Sequence, residues 1–316
     1  MKRNKVLVTG ASGFIGSAVH SSLVARGRNV CVATRSPISG STRRASPGLD
    51  ADADWSAWVE GCDSIVHAAA RVHVMHETAV DPLAEFRRTN VHGTLKLAQD
   101  AVRAGVRRFV FISSIKVNGE ATTPGRAFKP EDPPAPIDAY GISKSEAERA
   151  LMELGASTGL EVVVVRPPLV YGPGVKANFL ALMRWLKRGI PLPLGAIDNR
   201  RTLVALDNLV DLLVTCIDHP AASNRVFLVG DGEDLSTPQL LRRLAAALGV
   251  PARLVPVPVS WLEAAAALLG KRAMAQRLCG NLQVDISKAR QLLGWTPPVS
   301  VDEGLRQTAV HFLHSS

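Results

Sequence analysis

Three side chains in this sequence have the types and spacing for proton transfer at an alcohol oxygen. Tyr140 and Lys144 stand four residues apart in Tyr140-Gly141-Ile142-Ser143-Lys144. Four residues make about one helical turn, so both side chains share a face. A tyrosine ordinarily loses its proton near pH 10, and a neighbouring ammonium favours the phenolate, drawing its pKa toward the working range. Such a group can pass a proton to or from a substrate hydroxyl. The same spacing also fits an exposed helix pair. The apolar run Phe109-Val110-Phe111-Ile112 ends in the hydroxyl pair Ser113-Ser114. Ser114 can donate to the oxygen that Tyr140 serves, whereas Ser113 is read as capping the strand.

These groups need a frame, and the start of the chain supplies one. Val6-Leu7-Val8-Thr9 reads as a buried strand. It runs into Gly10-Ala11-Ser12-Gly13-Phe14-Ile15-Gly16 and then the apolar helix face of Ile15, Val19 and Leu23. Glycines at this spacing permit a positive-φ turn and a close backbone approach to a pyrophosphate, which meets the free N–H groups of the helix N-terminus. The reading is dinucleotide binding; the alternative is a tight strand-to-helix turn without a ligand. A bound nicotinamide would add positive charge near Tyr140. Folds selective for NAD carry an acidic residue about twenty positions on, at the tip of the second strand. Here that strand ends Val32-Ala33-Thr34-Arg35-Ser36. Arg35 would attract a 2′-phosphate, so NADP(H) is favoured, with NAD(H) as the alternative.

Strand and helix patterns alternate through the first half. Strands are expected at Lys5–Thr9, Asn29–Thr34, Asp63–His67, Arg107–Ser113 and Glu161–Arg166, and helices at Gly13–Arg26, Ala53–Glu60, Pro82–Ala104 and Ala139–Ser157. This predicts an α/β fold, a Rossmann-type doubly wound parallel sheet covered on both faces. Residues 1–170 form the dinucleotide-binding domain, rejoined by a strand near 225–229. Residues 171–316 form mainly a smaller substrate-binding cap with helices at Thr237–Leu248, Ser260–Leu269, Ile286–Leu293 and Val301–Leu313. The Ala/Leu-rich stretch Trp261–Leu269 reads as core or packing surface rather than a membrane anchor.

The 316 residues, 47% hydrophobic and 21% charged, suit an ordinary globule with a large core, and no apolar run is long enough to span a bilayer. The net charge of +9 is scattered in doublets such as Arg43-Arg44 and Arg200-Arg201 without interleaved aromatics, which argues against nucleic acid and for phosphate-bearing small molecules. Cys31, Cys62, Cys216 and Cys279 lie far apart and suit neither a metal site nor a disulfide framework. Met1 runs directly into the first strand with no room for a signal peptide, so the expected compartment is the cytoplasm.

Taken together, several motifs resemble the extended short-chain dehydrogenases/reductases, in the branch of nucleotide-sugar epimerases, dehydratases and 4-reductases. They are the glycine motif, His67-Ala68-Ala69-Ala70, Asn90-Val91-His92-Gly93-Thr94, Ser113-Ser114, Tyr140/Lys144 and Arg166-Pro167-Pro168-Leu169-Val170-Tyr171-Gly172-Pro173-Gly174. The resemblance implies that Ser114, Tyr140 and Lys144 are catalytic and that Lys144 also binds the nicotinamide ribose. It implies cofactor contacts from Gly10, Ser12, Gly13, Phe14, Ile15, Gly16, Ala68, Ala69, Ala70, Asn90, the backbone at Pro167 and, near adenine, Asp50. It further implies a nucleotide-diphosphate sugar, UDP-linked, held by Asn178, with Arg201 and Arg277 on its phosphates, and a homodimer formed through the helices at Pro82–Ala104 and Ala139–Ser157. Lys116, two residues past Ser114, is expected either to touch substrate or to point to solvent. UDP-hexose 4-epimerases usually carry the acidic residue this chain lacks, and Tyr-Gly where it has Asn118-Gly119. Arg71-Val72-His73-Val74-Met75 and Ser114-Ile115-Lys116-Val117-Asn118-Gly119 most resemble the 4-ketoreductases that make UDP-N-acetylquinovosamine. The leading expectation is therefore an NADP(H)-dependent 4-ketoreductase. Alternatives are a UDP-sugar 4-epimerase with retained NAD, a reductase of a non-nucleotide carbonyl, and a non-catalytic NADP-sensing regulator.

Overall fold

The computed structural model describes residues 4–34, 45–72, 81–270 and 272–315. Arg35, the Arg43-Arg44 doublet and His73-Val74-Met75 lie outside the described residues. The main sheet contains β1 (Lys5–Thr9), β2 (Asn29–Ala33), β3 (Cys62–His67), β4 (Arg108–Ile112), β5 (Glu161–Arg166) and β8 (Arg225–Leu228). All pairs are parallel, in the order β2-β1-β3-β4-β5-β8.

The near-continuous apolar strands follow from burial on both faces, because successive residues of a strand point to opposite sides. Val8, Val66, Val110, Ile112, Val163 and Val165 join one core with Val19 and Leu23 of α1 (Phe14–Ala25) and Leu209 and Leu213 of α7 (Leu206–Asp218). Their neighbours Leu7, Ile65, Phe109, Phe111, Val162 and Val164 join the other. That core includes Leu97 and Ala101 of α4 (Thr94–Arg103) and Ala147 and Leu151 of α5 (Ala139–Thr158). Each buried Val, Leu, Ile or Phe side chain contributes about 1.5–3 kcal/mol by leaving water.

A second sheet holds β6 (Leu169–Tyr171) parallel to β7 (Arg201–Ala205), with β9 (Asp234–Leu235) antiparallel to β7. It shares a third core with α6 (Ala177–Lys187), α8 (Thr237–Ala247) and α12 (Val301–His314), through Tyr171, Phe179, Met183, Leu203, Leu241, Leu244 and Leu305. The other helices are α2 (Ser56–Val59), α3 (Pro82–Arg87), α9 (Val259–Leu268), α10 (Arg272–Cys279) and α11 (Ser287–Leu293).

The structure departs from the sequence reading in three places. The helix expected over Pro82–Ala104 is α3 and α4 joined through a π-helical turn, Arg88–Gly93. β6, α6 and β9 went unrecognised: the two strands are too short to show a period, and α6 starts without a side-chain cap beside Ala177 at φ 53°. The stretch Trp261–Leu269, expected as core or packing surface, is not core. It belongs to α9 (Val259–Leu268), which has no buried residue, and α10 (Arg272–Cys279) packs against it.

Candidate active site

β1 lies between β2 and β3, where the strand order reverses, and the loops beyond the carboxyl ends of these strands are the place an open parallel sheet leaves for a ligand. After Thr9, Gly10 turns at φ 67°, and the Gly13 amide donates to the Gly10 carbonyl at 2.8 Å. A Cβ on Gly10 would fall 2.7 Å from the Ala69 nitrogen, and one on Gly16 would fall 2.2 Å from the Gly10 oxygen. The turn therefore lies flush against Ala68-Ala69 at the end of β3. The N-cap of α1 is Gly13, no side chain caps it, and its first turn carries no acid. Amides of Phe14 and Ile15 and the positive end of the helix dipole face outward, beside the exposed Ser12 and Gly13. This cradle fits the pyrophosphate of a dinucleotide.

The wall beside the cradle is fixed by buried polar contacts. His67 Nδ1 meets Thr9 Oγ1 at 2.8 Å and its Nε2 meets Thr94 Oγ1 at 3.0 Å. Burial, with the Lys144 charge adding to it, pulls His67 down to about 3, so the ring is neutral and structural. Thr9 Oγ1 also accepts from the Ala69 amide at 3.3 Å. Asn90, on the π-helical turn, accepts from the Arg71 amide at 2.8 Å and donates to the Arg71 carbonyl and to Ser143 Oγ, each at 3.0 Å. It thus ties the chain leaving Ala70 to the helix that carries Tyr140 and Lys144. Asp50 sits where a Cβ on Gly93 would strike its amide at 2.8 Å, and its carboxylate accepts from the Asp52 amide at 3.2 Å.

β4 and β5 continue their pairing past the sheet. The Ser113 amide donates to Val165 O at 2.8 Å and the Ile115 amide to Pro167 O at 3.0 Å, which sets Ser114 opposite Pro167. The two hydroxyls then part. Ser113 Oγ donates to the buried carboxylate of Glu148, which pairs with Arg166 at 2.6 Å, and Arg166 donates to Asn118 Oδ1 at 2.9 Å. Ser114 lines an open cavity, and its Oγ accepts the Lys116 amide at 3.2 Å.

Lys144 is buried in α5. Its Nζ donates to Ile112 O at 2.8 Å and lies 4.2 Å above the Phe111 ring. Burial pulls its pKa down to about 7, against the upward pull of Glu148. Tyr140 stands in the first turn, edge-on to Phe86 at 6.1 Å, and is not part of the cavity wall among the described residues. Burial pushes the phenol up and the Asp138 carboxylate adds to it, while Lys144, itself losing charge near neutrality, does not offset them.

Asp138 is a residue at the site that sequence reasoning missed. It caps α5, accepting the Gly141 amide at 2.7 Å, and its other oxygen takes the Lys116 ammonium, which also lies 3.4 Å from Glu120. The Lys116 ammonium is therefore committed to carboxylates rather than free in solvent. The signal was present in the sequence, since an Asp just before a helix start is a strong capping residue.

The cavity beyond Ser114, about 570 Å³, is bounded by Ser114, Lys116, Pro167, Asn178, Arg201 and Arg277 among others. All the expected substrate residues thus meet in one space. Arg201, half-buried on β7, donates to Gly280 O at 3.0 Å, and burial and the neighbouring Arg277 both lower its pKa. Two guanidinium groups lining one cavity, close enough for one to lower the pKa of the other, favour an anion there. Leu203, Leu240, Leu241, Leu282 and Trp185 supply apolar walls.

Residues 6–230 match the family model of the NAD dependent epimerase/dehydratase family. The chain belongs to that family. It is 46% identical over 318 residues to a UDP-glucose 4-epimerase of Vibrio cholerae, covering 98% of this chain and 96% of the relative. The solved UDP-glucose 4-epimerase of Thermotoga maritima with UDP-glucose is 26% identical with a TM-score of 0.76, covering 98% of this chain and 99% of the other. MoeE5 in complex with UDP-glucose and NAD is 27% identical with a TM-score of 0.77, covering 98% and 99%. This member of the family is an NAD(P)-dependent nucleotide-sugar enzyme. Among the described residues no helix is long and apolar enough to cross a membrane.

Proposed function

We propose that this enzyme is a UDP-hexose 4-epimerase that keeps NAD through its cycle. The observation that carries this reading is the 46% identity, over nearly the whole length of both chains, to a UDP-glucose 4-epimerase. The cavity supports it, with paired guanidinium groups for a diphosphate beyond Ser114. Residues 1–170 hold the dinucleotide, and residues 171–316 supply most of the sugar-nucleotide contacts.

Bound in the glycine cradle, NAD supplies a hydride acceptor that later returns the hydride. Amides of α1 hold the pyrophosphate, and Lys144 serves the ribose. Arg201 and Arg277 hold the sugar's diphosphate and Asn178 contacts the nucleotide. Ser114 donates to the sugar O4, and Tyr140 takes the O4 proton as C4 is oxidised. The 4-keto sugar turns in the cavity, Tyr140 returns the proton, and C4 is reduced from its opposite face. Burial and the Asp138 carboxylate favour the neutral phenol, so the positive charge of the bound nicotinamide is what favours the Tyr140 phenolate.

The leading sequence expectation, a 4-ketoreductase using NADP(H), becomes the second reading. It retains one specific support, the absence of an acidic residue in Val32-Ala33-Thr34-Arg35-Ser36. Purified protein incubated with UDP-glucose and no added dinucleotide separates the two. The epimerase reading expects UDP-galactose to form and NAD to be released on denaturation. No interconversion, with NADPH consumed on a UDP-4-keto-sugar, would overturn it.

A further inference from the structure

Ser114 and Tyr140 come from different elements, the end of β4 and the first turn of α5, and Lys116 touches the supports of both. Its backbone amide donates to Ser114 Oγ at 3.2 Å. With one lone pair taken in this way, the Ser114 hydroxyl keeps its own proton to donate into the cavity it lines. The Lys116 carbonyl backs onto the start of α5, where a Cβ on Gly141 would fall 3.0 Å from Lys116 O and 3.2 Å from Asp138 Oδ1. The Lys116 ammonium takes one oxygen of Asp138, and the other oxygen caps α5 by accepting the Gly141 amide at 2.7 Å.

The charges point the same way. Lys116 lines the cavity, but its ammonium is held by Asp138 and lies 3.4 Å from Glu120. A neutral sugar hydroxyl would have to displace two carboxylates to reach it, and ionised partners are the stronger ones. The Asp138 carboxylate in turn disfavours the Tyr140 phenolate, and an ammonium seated on that carboxylate opposes its effect. Among the described residues, the surrounding elements bring five charged groups to this corner. They are Asp138 at the helix cap, Lys144 one turn on, Lys116 and Glu120 after β4, and Arg71, 5.5 Å over the Phe86 ring that meets Tyr140.

We propose that Lys116 is a positioning residue rather than a substrate ligand: it ties the strand end that presents Ser114 to the helix start that presents Tyr140, and its charge offsets the Asp138 carboxylate. Of the two places the sequence allowed for it, substrate or solvent, it takes neither. Lys116 thereby reduces the opposing charge that a bound nicotinamide must overcome at Tyr140. Its part in turnover rests on the epimerase reading, in which Tyr140 takes the O4 proton; its effect on the phenol does not.

The phenol can be read directly, because the chain has two tyrosines and the other is held out of range. Tyr171 is buried, donates to Asp231 at 2.8 Å, and has its pKa pushed well above the usual tyrosine value. The ultraviolet band of tyrosinate therefore reports Tyr140, with Tyr140→Phe protein as the blank. In protein loaded with oxidised dinucleotide (NAD, or NADP if only that binds), Lys116→Met should raise the midpoint by about one pH unit. Asp138→Asn should lower it by a similar amount, and Lys116→Arg should stay near the wild type. Asn caps a helix about as well as Asp, so the start of α5 survives the second change. The acid limb of kcat for UDP-glucose should move with these midpoints, while KM stays within about twofold of the wild type. A midpoint shared by the wild type, Lys116→Met and Asp138→Asn overturns the proposal. So does a KM raised about tenfold in Lys116→Met with the midpoint unmoved, which would make Lys116 a substrate ligand. Ordered midpoints in a protein that does not interconvert UDP-glucose and UDP-galactose would uphold the role of Lys116 and overturn the epimerase reading instead.

Discussion

Replacing Lys144 by methionine isolates the cost of burying its ammonium. Its pKa falls from 10.5 to about 7 because the fold strips water from it, and the Ile112 carbonyl and the Phe111 face only partly replace that water. Between those two values the unfolded chain holds a proton that the native chain has released. Stability from this group therefore rises with pH across the window, and the penalty is complete below it. A shift of this size corresponds to about 5 kcal/mol at pH 6, falling to about 2 kcal/mol at pH 9. The methionine variant has no such dependence, while every other titrating group is shared. It gives up a hydrogen bond of about 1 kcal/mol, a loss that does not vary with pH. Urea unfolding of nucleotide-free protein at pH 6, 7.5 and 9 should show the variant's advantage shrinking by roughly 2–3 kcal/mol from the lowest to the highest pH. Two stability curves that stay parallel would refute the claim that Lys144 is discharged by burial.

Five further outcomes follow from the site. Ser114→Ala should cut kcat by about a hundredfold or more with little change in melting temperature, as removing one donor to a reacting oxygen does. Ser113→Ala should keep turnover within a few-fold but lose about 1–3 kcal/mol in urea unfolding, because Glu148 loses a buried partner. Glu148→Leu leaves the Arg166 guanidinium buried without a counter-charge and should cost about 3–5 kcal/mol, read by thermal unfolding. Arg201→Gln should raise KM for the sugar nucleotide by about tenfold or more with a smaller change in kcat, since it removes a charge-assisted contact to a part of the substrate that does not react; an unchanged KM would take Arg201 out of the site. Gly10→Ala places a methyl 2.7 Å from the Ala69 nitrogen at a φ of 67°, and the purified protein should emerge without bound dinucleotide.

How legible the fold and the site were depends on the range over which each feature is determined. The glycine turn was readable because its requirement is local: positive φ at Gly10 and room for Gly16 against the Gly10 carbonyl are set within seven residues. The strands of the main sheet were readable because two-sided burial writes itself as uninterrupted apolar runs, Val162 to Val165 above all. Burial itself is not local, and what depends on it could not be read from short motifs. The i, i+4 spacing of Tyr140 and Lys144 sets an ammonium beside a phenol, but it does not show that the sheet and Phe111 bury that ammonium and pull its pKa down to about 7. The alanine-rich α9 has the composition of a core helix, and only its position at the edge of the cap leaves Trp261 and Leu268 outside. Arg201 and Arg277 meet because β7 and α10 are brought to one cavity by the chain between them, which no short motif encodes. Ser113 and Ser114 lie between these cases. As an extended chain leaves the end of a strand, adjacent side chains turn to opposite sides. One hydroxyl of the pair must then face α5 and Glu148 while the other faces the cavity. The two-residue period predicts that division of labour, and contact with Glu148 decides which serine belongs to the fold.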